Sequence, residues 1–118
     1  MKVQELYENA LALVGKNEEG TSYPFMDRVP SLLNPEIYVL NSFRDEDAQI
    51  DTVIRIDDEI DLTAKEAQGL SLCLAYAIAT EINGYPEART MALYQQRNRV
   101  MGSICTEMEE IEETIGVS

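Results

Sequence analysis

The stretch from Leu62 to Gly84 limits the possible folds most, because it predicts a helix that is apolar almost all round. Thr63 and Glu66 have the spacing of a capping box, in which a hydroxyl and a carboxylate each accept a backbone N–H at the start of a helix. The glycine that closes the stretch and Pro86 after it predict the helix end. The uncharged run, residues 67–80, is shorter than the ~20 residues that cross a bilayer. We therefore expect a helix buried in a core that the other segments form.

Two amphipathic helices are predicted at the two ends of the chain. Val3–Val14 repeats apolar residues at helical spacing and is followed by Gly15. From Pro86 to about Thr114 the only helix breaker is Gly102, and the apolar spacing is interrupted at Arg97, so one long helix is expected, with arginines in its first half and glutamates in its last turns. Carboxylates at a helix C-terminus oppose the helix dipole. The acidic tail, residues 109–118, should therefore fray in isolation.

The segment from Pro24 to Phe43 keeps a helical spacing of apolar residues but contains several prolines. Proline is tolerated in a first helical turn and costs ~3 kcal/mol inside a helix. We expect a helix over this range, with a kink or break between Pro30 and Pro35. The polar stretch before it, residues 16–22, is expected to be a loop.

The segment Gln49–Asp57 is expected to be extended, because Ile50, Ile54 and Ile56 alternate with a second, mostly charged set of residues. A lone strand cannot satisfy its own hydrogen bonds. This arm, residues 50–60, should therefore pair with a hairpin partner or with the edge of a neighbouring subunit. The sequence as a whole predicts a single all-α domain over residues 1–118, a small bundle of about four helices around a buried central helix, with one short extended arm.

The formal net charge of −13 limits the partners that the chain can bind. Affinity for nucleic acid and for anionic membranes depends on Lys and Arg, so neither is expected as a partner. Cys73 and Cys105 both occupy apolar helix positions, and we expect them to be reduced core thiols. No signal peptide precedes the first amphipathic helix, so we expect synthesis in the cytoplasm without export.

The sequence lacks the residues that most enzymes use. There is no histidine, no glycine-rich phosphate loop and no nucleophile elbow. The acidic run that begins at Asp45 fails as a calcium loop, because its sixth position is Ile50 and its twelfth is Ile56. Asp58 and Glu59 belong to a second acidic run, which we interpret as favourable charge ahead of a helix N-terminus. We expect no enzymatic activity, no cofactor and no metal.

The second half of the chain resembles the small head–tail connector proteins, also called neck or adaptor proteins, of long-tailed bacteriophages and prophages. The resemblance is carried by an acidic turn, an apolar helix of small residues, and a later helix with an alanine and an aromatic residue. In this sequence these are Ile54–Leu62, then Gly69, Leu70, Leu74 and Ala75, and finally Ala88, Leu93 and Tyr94.

The resemblance implies a helical subunit that assembles as a ring between the portal and the tail. Its partners would be further copies of itself, the portal protein, and a tail or stopper protein, with DNA only as passing cargo and no membrane. The location would be the virion, after synthesis in the cytoplasm of the bacterial host. The residues expected at these contacts are Ile50, Ile54, Ile56, Asp58, Glu59, Arg97, Arg99, Glu109 and Glu110.

A small acidic helical binding module is the alternative function. A net charge of −13 also suits a protein that caps a basic partner, such as a charge-mimic inhibitor of a nucleic-acid enzyme. Salt distinguishes the two functions. A charge-mimic complex weakens steeply with ionic strength, whereas a ring held by apolar contacts does not.

Overall fold

The computed structural model describes residues 1–15, 27–82 and 84–117, and it describes side chains in these ranges as far as residue 104. The described residues form four α-helices: α1 (Val3–Val14), α2 (Val29–Asn41), α3 (Ala64–Glu81) and α4 (Glu87–Val117). A 3-10 turn, Glu46–Ala48, follows α2, and no β-strand occurs in these ranges. The chain is therefore a small all-α bundle, as predicted. The loop expected at residues 16–22 lies outside the described residues.

The central helix α3 is buried by the other three helices, because nearly all of its faces are apolar. It packs against α1, α2 and α4. The core residues predicted on it, Leu70, Leu74 and Ile78, are at most 1% exposed, and Leu93 of α4 is 7% exposed. One hydrophobic cluster includes residues from all four helices and from the arm. The prediction that the bundle forms around this helix is confirmed.

Local sequence signals place most of the helix ends. Gly15 ends α1 in the left-handed conformation, with φ 83°. The capping box of α3 is present, since Thr63 Oγ1 accepts the Glu66 N–H (3.1 Å) and the Glu66 carboxylate accepts the Thr63 N–H (2.9 Å). At its other end α3 stops at Glu81, before the expected stop, and Gly84 then turns the chain with φ 77°.

Of the kink or break expected between Pro30 and Pro35, the break is wrong, because α2 continues as one helix through both prolines. The helix is also shorter than the expected range 24–43: it begins at Val29, and residues 24–26 lie outside the described part of the chain. Pro30 occupies the first turn, where no N–H is needed. The buried stripe of the helix spans Pro35 and consists of Val29, Leu33, Ile37 and Leu40. Packing of this stripe outweighs the one hydrogen bond that Pro35 cannot donate.

A buried ion pair joins the end of α2 to the start of α3. Glu66, which is 1% exposed, receives two hydrogen bonds from Arg44, one of them from Nε to Oε2 at 3.1 Å. Arg44 Nη1 also donates to the carbonyl of Ala48 in the 3-10 turn (2.8 Å). These bonds satisfy the buried carboxylate and fix the connection between the two helices.

Helices α3 and α4 form an antiparallel hairpin in which α4 is the longer member. They approach closely at Gly69, where a Cβ would lie 2.7 Å from Met101 Sδ and 3.4 Å from Ile104 Cδ1. From this alignment, the first residue of α3 is level with about residue 108 of α4. The backbone of α4 then continues to Val117, ~13 Å further at 1.5 Å per residue. The end of α4 thus extends past α3, in a molecule that measures 53 × 31 × 19 Å.

Candidate functional site

The arm is extended but is not a strand, and the alternation predicted for it is wrong. Ile50 and Val53 are buried, Ile56 is half-buried, and Ile54 is 77% exposed. Burial therefore recurs after three residues, from Ile50 to Val53, which is the period of polyproline II and not of a β-strand, and Ile56 then lies in a turn. Gln49, directly before the arm, has φ −68° and ψ 143°, close to the polyproline II conformation. Ile54 consequently faces solvent, and Val53 packs in the core where Ile54 was expected.

Two asparagine side chains of α2 bind the backbone of the arm. Asn41 accepts the N–H of Ile50 (2.8 Å) and donates to its C=O (2.9 Å). Asn34 makes the same pair of bonds with Val53, at 2.9 and 3.0 Å. The two asparagines are seven residues apart on α2, a rise of about 10.5 Å. The two arm residues that they bind are three residues apart, a rise of about 9.3 Å in polyproline II, so the distances along the helix and along the arm match. Each asparagine side chain thus makes the two backbone hydrogen bonds that a residue of a neighbouring β-strand would make.

The N-terminal residues bind the far half of the arm. The N–H groups of Val3 and Gln4 donate to the carbonyls of Asp58 (3.0 Å) and Ile56 (2.8 Å), and the N–H of Ile60 donates to the carbonyl of Met1 (2.8 Å). We expected the arm to need a hairpin or the edge of a neighbouring subunit. In the structure its backbone partners come from α2 and from the start of the same chain.

Asp58 and Glu59, two of the predicted contact residues, already have partners within the chain. The Asp58 carboxylate accepts the N–H groups of Ile54 (2.8 Å) and Arg55 (2.9 Å), and these hydrogen bonds lower the pKa of Asp58. Glu59 is 71% exposed and lies 3.5 Å from the amino group of Met1. Asp58 thus closes a turn of the arm, and Glu59 is the more accessible of the two.

Arg97 connects two helices of the same molecule. Its guanidinium lies 2.9 Å from the Glu36 carboxylate of α2, and both side chains are largely buried, at 25% and 22% exposed. Cys73 lies beside this pair, and its burial, together with the nearby charge of Glu36, raises the pKa of the thiol to about 12. Cys73 is therefore a free core thiol, as predicted, while the side chain of Cys105 lies outside the described residues. Reversing the charge of Arg97 would disturb this intrachain pair before it affected any partner.

Arg99 is exposed and makes no ion pair with any described residue. It lies at the edge of a groove of about 930 Å³ between α1, α3 and α4, which we call the α3 groove. Ala12, Leu13, Ala67 and Leu72 give this groove an apolar surface. Of the two arginines predicted at contacts, Arg99 is the one that remains available to a partner.

The topology gathers two acidic segments at one end of the molecule. The acidic run Asp57–Asp61 precedes α3, and the antiparallel α4 passes the same end of α3 before it projects beyond it. Glu109 and Glu110 belong to this last part of α4, of which only the backbone path is described. They lie on the helix, and their role as contacts stays a prediction, as does fraying of the tail.

The described part of the chain contains neither a cluster of metal ligands nor a membrane-spanning helix. No three residues of the types His, Cys, Asp and Glu are placed there to hold a metal ion. Of the helices described, none combines the length and the apolar character that a membrane span requires.

Sequence reasoning missed Asn34, Asn41 and Glu36. The two asparagines are seven residues apart, which places them on one face of α2, and this spacing is the signal that could have identified them. Glu36 and Arg97 are separated by 61 residues, and no local pattern relates them.

Comparisons of the chain with models of protein families, with curated proteins and with solved structures give no match.

Proposed function

We propose that this chain is a non-enzymatic structural subunit of a bacteriophage head–tail connector, which assembles as a ring between the portal and the tail. The observation that carries the proposal is the separation of charge along α4. Arg99 is exposed and has no acidic partner among the described residues, whereas the glutamates of the tail begin beyond it on the same helix. From Arg99 to Glu110 is ~16 Å of continuous helix, so these two charges cannot pair within one molecule.

Assembly into a ring brings the separated charges of neighbouring molecules together. Rotating one copy onto the next places the cationic region of one molecule beside the acidic end of its neighbour, which gives a heterologous interface that closes on itself. Further copies, the portal protein and a tail or stopper protein are the partners, and the virion is the location. The high negative charge of the subunit suits a channel for DNA, because such a wall offers few cations that would hold phosphates.

Light scattering in line with size-exclusion chromatography tests the proposal, at several protein concentrations and at low and high salt. The expected result is a discrete high-order oligomer that apolar contacts keep assembled in high salt, with the charge pairing adding to them at low salt, and electron micrographs of that fraction should show rings. Arg99→Glu should reduce the oligomer, while Arg28→Glu, at an exposed position before α2 whose surface pair with Glu81 contributes little, is the matched control for the change in net charge. A monomer under all conditions, with no binding to a portal ring, contradicts the proposal.

The acidic binding module remains the second candidate, because two acidic segments that are distant in sequence meet at one end of the molecule. Such an end could cap a basic protein that normally binds phosphate. The same chromatography distinguishes the connector function from the charge-mimic function. A monomer that captures a basic partner at low salt and releases it at high salt supports the charge-mimic function.

A further inference from the structure

We propose that the α3 groove is the docking site for the acidic C-terminal segment of α4, residues 107–117, of a second copy of this chain. The inference deepens the proposed function, on which it rests, by naming the two surfaces that meet at each joint of the ring.

The groove has the shape and surface for a helix. It follows α3 from Ala64 to Leu72, about 12 Å or two helical turns. Small side chains, Ala64, Ala67 and Ser71, line the α3 side, so that a partner helix can approach closely. Leu13 of α1 borders the groove and is 41% exposed, which is apolar surface that a partner could cover. On the α3 side of the groove, Ala64 and Gln68 are exposed and Ala67 is half-buried, whereas Ser71 and Leu72 are buried at its floor.

The charge of the groove selects an acidic occupant. Arg99 is the only charged residue among the described residues that line the groove, and no carboxylate lines it there. Although the chain has a net charge of −13, the groove is a surface where Arg99 can attract a carboxylate of a partner. The groove therefore fits a helix that combines an apolar face with glutamates.

The end of α4 has this composition. The apolar residues of the segment, Met108, Ile111 and Ile115, recur at positions that share one face of a helix. The other positions include Glu107, Glu109, Glu110, Glu112 and Glu113. The backbone is helical through Val117, and it extends beyond the start of α3. The segment is thus a projecting amphipathic acidic helix.

The groove cannot receive the segment of its own chain. Gln96, Arg99 and Val100, which line the groove, belong to the same continuous helix as the segment, so the segment would have to turn back on itself. Docking must therefore occur between copies. Because the two surfaces differ, the contact is heterologous and repeats from one copy to the next.

Disulfide crosslinking between two differently tagged full-length chains tests this inference. Both chains carry Cys105→Ser, and the buried Cys73 thiol, with its pKa of about 12, stays unreactive. One chain carries Gln68→Cys in the groove and the other carries Glu110→Cys in the segment. Under mild oxidation the mixed disulfide should form roughly tenfold faster than with Tyr38→Cys in place of Gln68→Cys, since docking raises the effective concentration of the thiols. Tyr38 is 78% exposed on α2, a helix that contributes no residue to the described lining of the groove, which makes it the matched control.

Charge reversal adds a second readout that a nonspecific contact would not show. Arg99→Glu in the groove chain should reduce the crosslinking rate to that of the Tyr38→Cys control, and Glu109→Arg in the segment chain should restore it. Arg99 is exposed and has no ion pair among the described residues, so its reversal leaves the fold intact.

The outcomes separate this inference from the connector function. A discrete oligomer in which Gln68→Cys crosslinks no faster than Tyr38→Cys contradicts docking in the α3 groove but is compatible with assembly as a ring. Rapid crosslinking in open filaments or in dimers alone supports the docking site and overturns the ring. A monomer that neither crosslinks nor binds a portal ring overturns both.

Discussion

At the scale of single residues, Glu66 shows which contacts a sequence reveals. Its carboxylate accepts the N–H of Thr63, three residues before it, and this capping box could be predicted from spacing alone. The same carboxylate is buried against Arg44, which is 22 residues away. Burial of Glu66 without that guanidinium would be costly, yet nothing in the local sequence identifies the partner.

Asp58 provides a prediction on pH at this scale. Because its pKa is lowered by the hydrogen bonds from Ile54 and Arg55, its carboxylate stabilises the folded state above the unfolded pKa, near 3.8. That contribution is lost as the pH falls through the lower folded value. The difference in unfolding free energy between the wild type and Asp58→Asn should therefore be constant from neutral pH to about pH 5 and shrink below about pH 4. Urea titrations followed by circular dichroism measure it.

The matched control is Asp57→Asn. Asp57 is exposed and makes no hydrogen bond with a described residue, so its substitution should change the free energy of unfolding little at any of these pH values. An Asp58→Asn difference that stays constant into the acid range would show that the turn does not depend on the carboxylate charge.

At the scale of elements, the arm shows how a helix can take the place of a strand. The sequence pattern of the arm predicted that burial would recur at every second residue, at Ile50, Ile54 and Ile56. In the structure the asparagines of α2 instead bind the arm at Ile50 and Val53. The extended character could be predicted from the sequence. Its three-residue period could not, because the spacing of side chains on another helix sets it.

Removing one asparagine should release one part of the arm. Asn34→Ala leaves the N–H and C=O of Val53 without their partners, at a cost of about 1–3 kcal/mol in the free energy of unfolding. Hydrogen exchange of the Val53 amide should accelerate, while the Ile50 amide, which Asn41 binds, should change less. Hydrogen exchange measured by NMR resolves the two amides.

Asn41→Ala should reverse this selectivity and accelerate the Ile50 amide. Asn98→Ala serves as the control, since Asn98 is exposed on α4 and its side chain bonds to no described residue other than Arg97. Equal exchange rates at Val53 in the wild type and in Asn34→Ala would mean that the asparagine does not hold the arm.

At the scale of the whole molecule, net charge opposes folding. Nine cationic side chains face 22 acidic ones, and the topology brings acidic segments together at one end. Surface ion pairs such as Arg28–Glu81 contribute little against this repulsion. The buried pairs Arg44–Glu66 and Arg97–Glu36 hold helices together but do not reduce the excess of charge.

Salt should therefore stabilise the fold. Raising sodium chloride from about 10 mM to about 150 mM shortens the Debye length from about 30 Å to about 8 Å, which screens the repulsion between acidic segments. The urea midpoint of a dilute sample should rise. The exposed double variant Glu46→Lys, Asp47→Lys changes the net charge from −13 to −9, and its midpoint should respond less to salt. A midpoint that falls with salt would mean that ion pairs outweigh repulsion.

By itself, the sequence determined the helical class, the bounds of α1, the capped start of α3 and the burial of that helix. These features depend on interactions between residues that are close in the chain, such as Thr63 with Glu66 or the turn at Gly15, or on one apolar run that no exposed helix could carry. Physical chemistry within a few residues was sufficient to predict them.

Only the tertiary structure decided the continuity of α2 through Pro35, the period of the arm, and the partners of Arg44 and Arg97. Each depends on groups that are distant in sequence and become neighbours when the helices pack. The α3 groove, too, exists only once three helices are in place. Packing of a buried face offsets a missing hydrogen bond, and no local pattern records which surface will provide that packing.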